Sequence, residues 1–131
     1  MRYTTFLDNY TVLTDSYAKE YNQLEKFEKG KYNLNKFINM VNTKDYNAIY
    51  NVLDNTFRSN NFNNQLELEQ FIKNNMYSLN RIEINDYNNE TYEYYVFEVI
   101  LQNMKNTEER KKMTVILNQT ESTDFTISFS F

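Results

Sequence analysis

Asp45-Tyr46-Asn47-Ala48-Ile49-Tyr50-Asn51-Val52-Leu53-Asp54-Asn55-Thr56-Phe57-Arg58 is the stretch on which the fold turns. Its apolar residues Tyr46, Ile49, Tyr50, Leu53 and Phe57 follow one another at helical steps, so a single helix carries all five on one face. Asn47, Asn51, Asp54, Asn55 and Arg58 fall on the opposite face. Such an amphipathic helix has to lie on something apolar. The aromatic strands of the second half are the expected partner.

The chain of 131 residues has the length of one ordinary domain. With 40% apolar and 17% aromatic residues, it can build a core, and one made largely of Tyr and Phe. Asn is over-used, at about twenty residues, against a background in which Leu, Ala and Gly lead. Gly occurs once and Pro never, so Asn has to supply most turns and caps. An AT-rich genome would produce this bias. The Asn residues are interleaved with periodic apolar ones, which argues for a folded chain rather than an Asn-rich disordered tract.

A net charge of −4 and no long basic run speak against nucleic acid, whose binding rests on neutralising many phosphates. No Cys is present, so there is no disulfide framework. No apolar run approaches the roughly 18 residues that cross a bilayer, so no membrane insertion is expected. No signal peptide is visible at Met1-Arg2-Tyr3.

Working outward from the central stretch, one domain of three parts is expected: a leading helix over 1–30, helices over 33–77, and an antiparallel meander over 79–131. In the first part Tyr3, Phe6, Tyr10, Leu13, Tyr17, Tyr21, Leu24 and Phe27 recur near heptad spacing. Either a coiled-coil seam or a long helix packed on its own sheet fits. Gly30 is the natural stop and Asn33 the next N-cap. Thr43 can cap the central helix at Asp45. Asn64 and Glu67 have capping-box spacing ahead of Leu68, Phe71, Ile72 and Met76.

Beyond residue 79 the period changes to two. Leu79–Asn85 alternates, and Asp86-Tyr87-Asn88-Asn89 reads as a turn. Thr91–Asn103 is a long strand with Tyr95, Phe97, Val99 and Leu101 on one face and Tyr92, Tyr94, Val96 and Ile100 on the other. Both faces are apolar apart from Glu93 and Glu98, so a central strand covered on both sides is expected. Lys111–Asn118 and Phe125–Phe131 complete the sheet, with a turn over Asn118–Thr123. The fold class is α+β, with helices on one face of a curved four-stranded antiparallel sheet.

The run from Phe37 to Arg58, with Leu66-Glu67-Leu68-Glu69-Gln70-Phe71-Ile72 and the closing Asp124-Phe125-Thr126-Ile127-Ser128-Phe129-Ser130-Phe131, resembles small bacterial domains of the nuclear-transport-factor-two-like (cystatin-like) superfamily. The resemblance covers about Asn33 to Phe131. It implies a cone-like bent sheet with a pocket at its open end. It also implies a choice of functions: isomerases and dehydratases, or non-catalytic binding and scaffold domains. Some of these are tethered outside the membrane by an upstream anchor. An extracytoplasmic setting, with the anchor outside this chain, is therefore expected over a cytoplasmic one.

The chain has no His, which removes His-based dyads, Ser-His triads and most zinc sites. An Asp/Tyr site stays arithmetically open through Asp45, Asp54, Asp86 and Asp124. Asp45 and Asp54 read better as a helix-start charge and a solvent-face residue. Asp86 falls in a turn and Asp124 just before the last strand. No calcium loop exists, and no cofactor is called for. The three matches to the glycosylation pattern, at Asn9, Asn89 and Asn118, are chance in so Asn-rich a chain. Glu98 either points into a pocket, where burial would raise its pKa, or, as is more common, sits near an open sheet face or pairs with a nearby Lys. The candidate pocket or interface is Tyr92, Tyr94, Val96, Glu98 and Ile100. The expected function is a non-catalytic interaction or scaffold domain, whose partner is another protein or a second copy docked through the sheet. A small-ligand site in the cone is the alternative, and an Asp/Tyr isomerase or dehydratase the third reading.

Overall fold

The computed structural model describes residues 26–88, 94–119 and 125–131. Within them four helices precede four strands: α1 (Lys26–Asn42), α2 (Tyr46–Val52), α3 (Asn55–Asn61), α4 (Gln65–Asn75), β1 (Asn80–Asn88), β2 (Tyr94–Asn103), β3 (Asn106–Gln119) and β4 (Phe125–Ser130). The strands form one open antiparallel sheet in the order β1-β2-β3-β4. The α+β class read from the sequence is the class observed.

Helix α1 overturns the expected stop at Gly30 and the expected cap at Asn33. It runs through both residues, and Asn33 is fully buried in its middle. Gly30 serves close approach rather than termination. A Cβ there would lie 2.8 Å from Cζ of Phe97, so the missing side chain is what admits the ring. Of the expected leading helix, residues 1–25 lie outside the described residues. Leu34, Phe37, Ile38 and Val41 bury the face that α1 turns to the sheet.

The end of α1 is a Schellman cap. Asp45 N–H donates to Met40 O (2.9 Å), Lys44 N–H to Val41 O (3.1 Å), and Lys44 is left-handed at φ 61. Thr43 completes this end, its hydroxyl donating to Asn39 O at 2.8 Å. The N-cap of the next helix is Asp45, not Thr43: its side chain accepts from Ala48 N–H.

The central stretch is two short helices, not one. Leu53 turns extended (φ −66, ψ 140) and forms a parallel bridge with Ile127 of β4. Asp54 N–H then donates to Ile127 O at 2.8 Å. Bonding the edge strand outweighs continuing the helix, because a buried edge carbonyl has to find a donor. Asp54 becomes the N-cap of α3, accepting from Phe57 N–H at 3.0 Å, rather than a solvent-face residue. Arg58 braces the bend, donating to Tyr50 O and to Asn55 Oδ1 with its guanidinium over the Tyr50 ring.

The capping pair at α4 is present in modified form. Asn64 accepts from Glu67 N–H, while Glu67 reaches back to the N–H of Asn63 rather than of Asn64.

Strand β1 continues through Asp86, Tyr87 and Asn88, where a turn was expected. A register shift between Ile84 and Asp86 absorbs Asn85 as a bulge. The bulge puts Tyr87 on the same face as Ile82 and Ile84, where it meets Phe97 at 5.1 Å between ring centroids. The expected turn over Asn118–Thr123 is strand as far as Gln119, and 120–124 lie outside the described residues.

The core lies between the helices and one face of the sheet. Phe97, Leu101, Val115, Leu117 and Ile127 are fully buried against Leu34, Phe37, Ile49 and Leu68. Phe129 joins the helices to β4: its ring lies 5.5 Å from Phe37 and 5.1 Å from Phe57. The helix–strand junction is fixed by amides. Fully buried Asn80 donates through Nδ2 to Asn42 Oδ1 and to Tyr77 O, and accepts from Tyr77 N–H. Asn42 donates in turn to Asn80 O at 2.9 Å.

Candidate functional site

Alternation sends every second residue of the sheet to the face away from the described helices. The register sorts these outward residues into tiers. Arg81, Gln102 and Arg110 form the first, Glu83, Ile100 and Lys112 the second, and Asp86, Glu98, Thr114 and Ser130 the third. Asn88, Val96, Ile116 and Ser128 form the fourth, and Tyr94, Asn118 and Thr126 the fifth.

Four of the five candidate residues therefore sit together in one column of this outer face: Tyr94, Val96, Glu98 and Ile100. Tyr92 lies outside the described residues. The expectation that β2 is covered on both sides is corrected for the described elements. Tyr94 is 42% exposed, Glu98 is exposed, and Val96 and Ile100 are half-buried. The inward residues Tyr95, Phe97, Val99 and Leu101 take up the helices' apolar surface, and Glu98 and Gln102 keep the outward column from matching it.

Glu98 thus sits on an open sheet face, not in an interior pocket. Its carboxylate accepts the Thr114 hydroxyl across the tier at 2.6 Å. The first tier is tied more tightly. Arg81 donates to Gln102 Oε1 at 2.7 Å, and Gln102 donates to Thr107 O. The Nε of Arg81 is buried and makes no hydrogen bond among the described residues.

The half of the face contributed by β3 escaped the sequence reading. Lys112, Thr114, Ile116 and Asn118 alternate with Met113, Val115 and Leu117, so the signal was present as the complement of the inward set. Together with β2 it forms a depression of about 350 Å³ lined by Tyr94, Val96, Ile116, Asn118, Thr126, Ser128 and, from the helix junction, Asp54. Among the described aspartates named from the sequence, Asp54 alone reaches this lining; Asp45 caps a helix, Asp86 lies in the third tier, and Asp124 lies outside the described residues.

A second cleft, about 230 Å³, opens between α1, α2 and α4, over Val41, Tyr46, Ile72, Met76 and Tyr77. Its two ammonium groups are already engaged. Lys44 donates to Ser78 O at 2.6 Å, and Lys73 pairs with Glu69 at 2.7 Å, a hydrogen bond that raises the Lys73 pKa. Burial, with the charge of Glu109 adding to it, raises the Tyr77 hydroxyl above its ordinary value. On the inner face, burial does the same to Tyr87.

Among the described residues no group of three or more acidic, His or Cys side chains is placed to hold a metal ion. No described helix is long and apolar enough to cross a membrane. Comparison of the chain with protein-family models, with curated proteins and with solved structures finds no match.

Proposed function

We propose that this chain is a non-catalytic interaction domain that meets a protein partner, self-association included, through the outer face of its sheet. One observation carries the reading: an outward apolar patch of Val96, Ile100 and Ile116, framed by charges, lies on the sheet face turned away from the helix-packed core. A half-buried aliphatic centre with a polar frame is the usual anatomy of a protein interface. The extracytoplasmic setting belongs to the same proposal and rests on the superfamily resemblance.

The interior gives little support to a ligand pocket. Phe37, Phe97, Leu101, Leu117 and Ile127 fill the inner face to complete burial. An Asp/Tyr enzyme needs a carboxylate and a phenol converging in a dry pocket. Among the described residues, Asp54 and Tyr94 share the rim of an open depression rather than a dry pocket.

The test is photo-cross-linking in the cell of origin. A cross-linking residue placed at Ile100 or Ile116 is expected to give a discrete adduct. The same residue at Leu66, which is 59% exposed on the helical side, is expected to give none. No adduct from the sheet positions, or equal adducts from all three, contradicts the reading.

A further inference from the structure

We infer that the partner is a second copy of this chain, packed sheet to sheet about a two-fold axis that runs along the strands between β2 and β3. The inference rests on the interaction reading above and gives it a definite geometry. It follows from the tiers of the outer face. A two-fold axis in that direction keeps each tier opposite itself and exchanges β2 with β3 and β1 with β4.

The exchange is self-complementary at every tier. In the fourth, Val96 meets Ile116 of the second copy, so the two apolar residues of each face pair with each other. In the second, Ile100 lies under the aliphatic stem of the second copy's Lys112, whose ammonium is then one tier from Glu98. In the first, Arg110 lies over Gln102, which is itself buried and bonded to Arg81 and Thr107. In the third, Asp86 meets Ser130 at the rim. In the fifth, Tyr94 meets Asn118, an aromatic against an amide. No like charges are set opposite one another.

The charges within the five tiers balance as well. Arg81, Arg110 and Lys112 carry three positive charges, and Glu83, Asp86 and Glu98 three negative ones. A second copy of a chain with net charge −4 is repelled over the molecule as a whole but not by these strands. The size is adequate too. Four strands ~4.8 Å apart and about nine residues long cover roughly 600 Å² in plan, close to the ~800 Å² per partner of a standard interface.

Sedimentation of the purified chain tests this. The wild type is expected to show a monomer–dimer equilibrium below about 1 mM, and Ile116→Arg to weaken it at least tenfold with unfolding unchanged. The crossing between Glu98 and Lys112 gives the sharper result. Glu98→Lys and Lys112→Glu each set like charges at both crossings of their own dimer, and each alone is expected to be monomeric. Mixed in equal amounts, they present opposite charges at both crossings and are expected to form a heterodimer. A wild type that is monomeric at 1 mM, or single variants that dimerise as well alone as mixed, overturns the second-copy inference. The cross-linking experiment separates that failure from failure of the wider reading. An adduct of twice the chain's mass supports the second copy. An adduct of any other mass keeps the interaction domain and removes the second copy, and the lack of an adduct removes both.

Discussion

Neighbouring residues of β2 lead opposite lives. Tyr95, Phe97, Val99 and Leu101 are at most 5% exposed, locked against α1 and its neighbours. Tyr94, Val96, Glu98 and Ile100 face outward, and none of them is buried. In hydrophobicity the two sets differ by one glutamate. The difference teaches that burial was decided by shape. The inward set matches a glycine notch, a row of helix side chains and a Phe cluster. The outward set lies on the face turned away from that core.

The strongest way to break this comparison is truncation of adjacent residues. Phe97→Ala empties a fully buried ring site and is expected to cost about 3–5 kcal/mol in urea unfolding. Val96→Ala, one residue earlier, is expected to cost under about 1 kcal/mol in the dilute chain. Similar costs would mean that the outer face is covered too.

Asn80→Leu comes next. It strips the Tyr77 N–H and the Tyr77 carbonyl of the side chain that satisfies both, and about 3 kcal/mol of destabilisation is expected from two part-buried groups left unsatisfied. Gly30→Ala sharpens the comparison by its sign. In an ordinary exposed helix interior the change gains up to about 1 kcal/mol. Here the new Cβ meets a ring that has nowhere to go, and a loss of about 1–2 kcal/mol is expected instead. Asp54→Ala removes a helix cap and is expected to cost about 1 kcal/mol, with Asp54→Asn close to neutral.

The smallest effect is in pH. Burial holds Tyr87 and Tyr77 neutral, with folded pKa values raised above the ordinary value near 10. Their contribution is whole below that value and is lost as pH rises through the folded pKa, because the unfolded tyrosines ionise first. Urea midpoints should therefore fall between about pH 9 and pH 11, and Tyr87→Phe should flatten part of the fall.

The sequence reading succeeded where a pattern is purely local. The period of two beyond residue 79 gave all four strands and their meander. The pair Asn64 and Glu67 marked the start of α4. It failed where a distant residue decided. Gly30 looked like a stop because glycine usually ends helices, and nothing nearby announces that Phe97 needs its missing Cβ. Asp45 to Arg58 has helical spacing throughout, yet the break at Leu53 is made by Ile127, more than seventy positions away. Asn85 was read as ending a strand because a bulge and a turn use the same residues. The outer face was half legible: β2 showed it, and β3 concealed it behind Lys and Thr.

Methyl-resolved NMR with a soluble paramagnetic probe, read at low and at high protein concentration, tests the central claim most directly. The account predicts strong attenuation of Val96, Ile100 and Ile116 in dilute solution, with Val99 and Val115 untouched. It predicts protection of the three outer residues alone as concentration rises. Outer methyls shielded in dilute solution, or equally attenuated at every concentration, would contradict it.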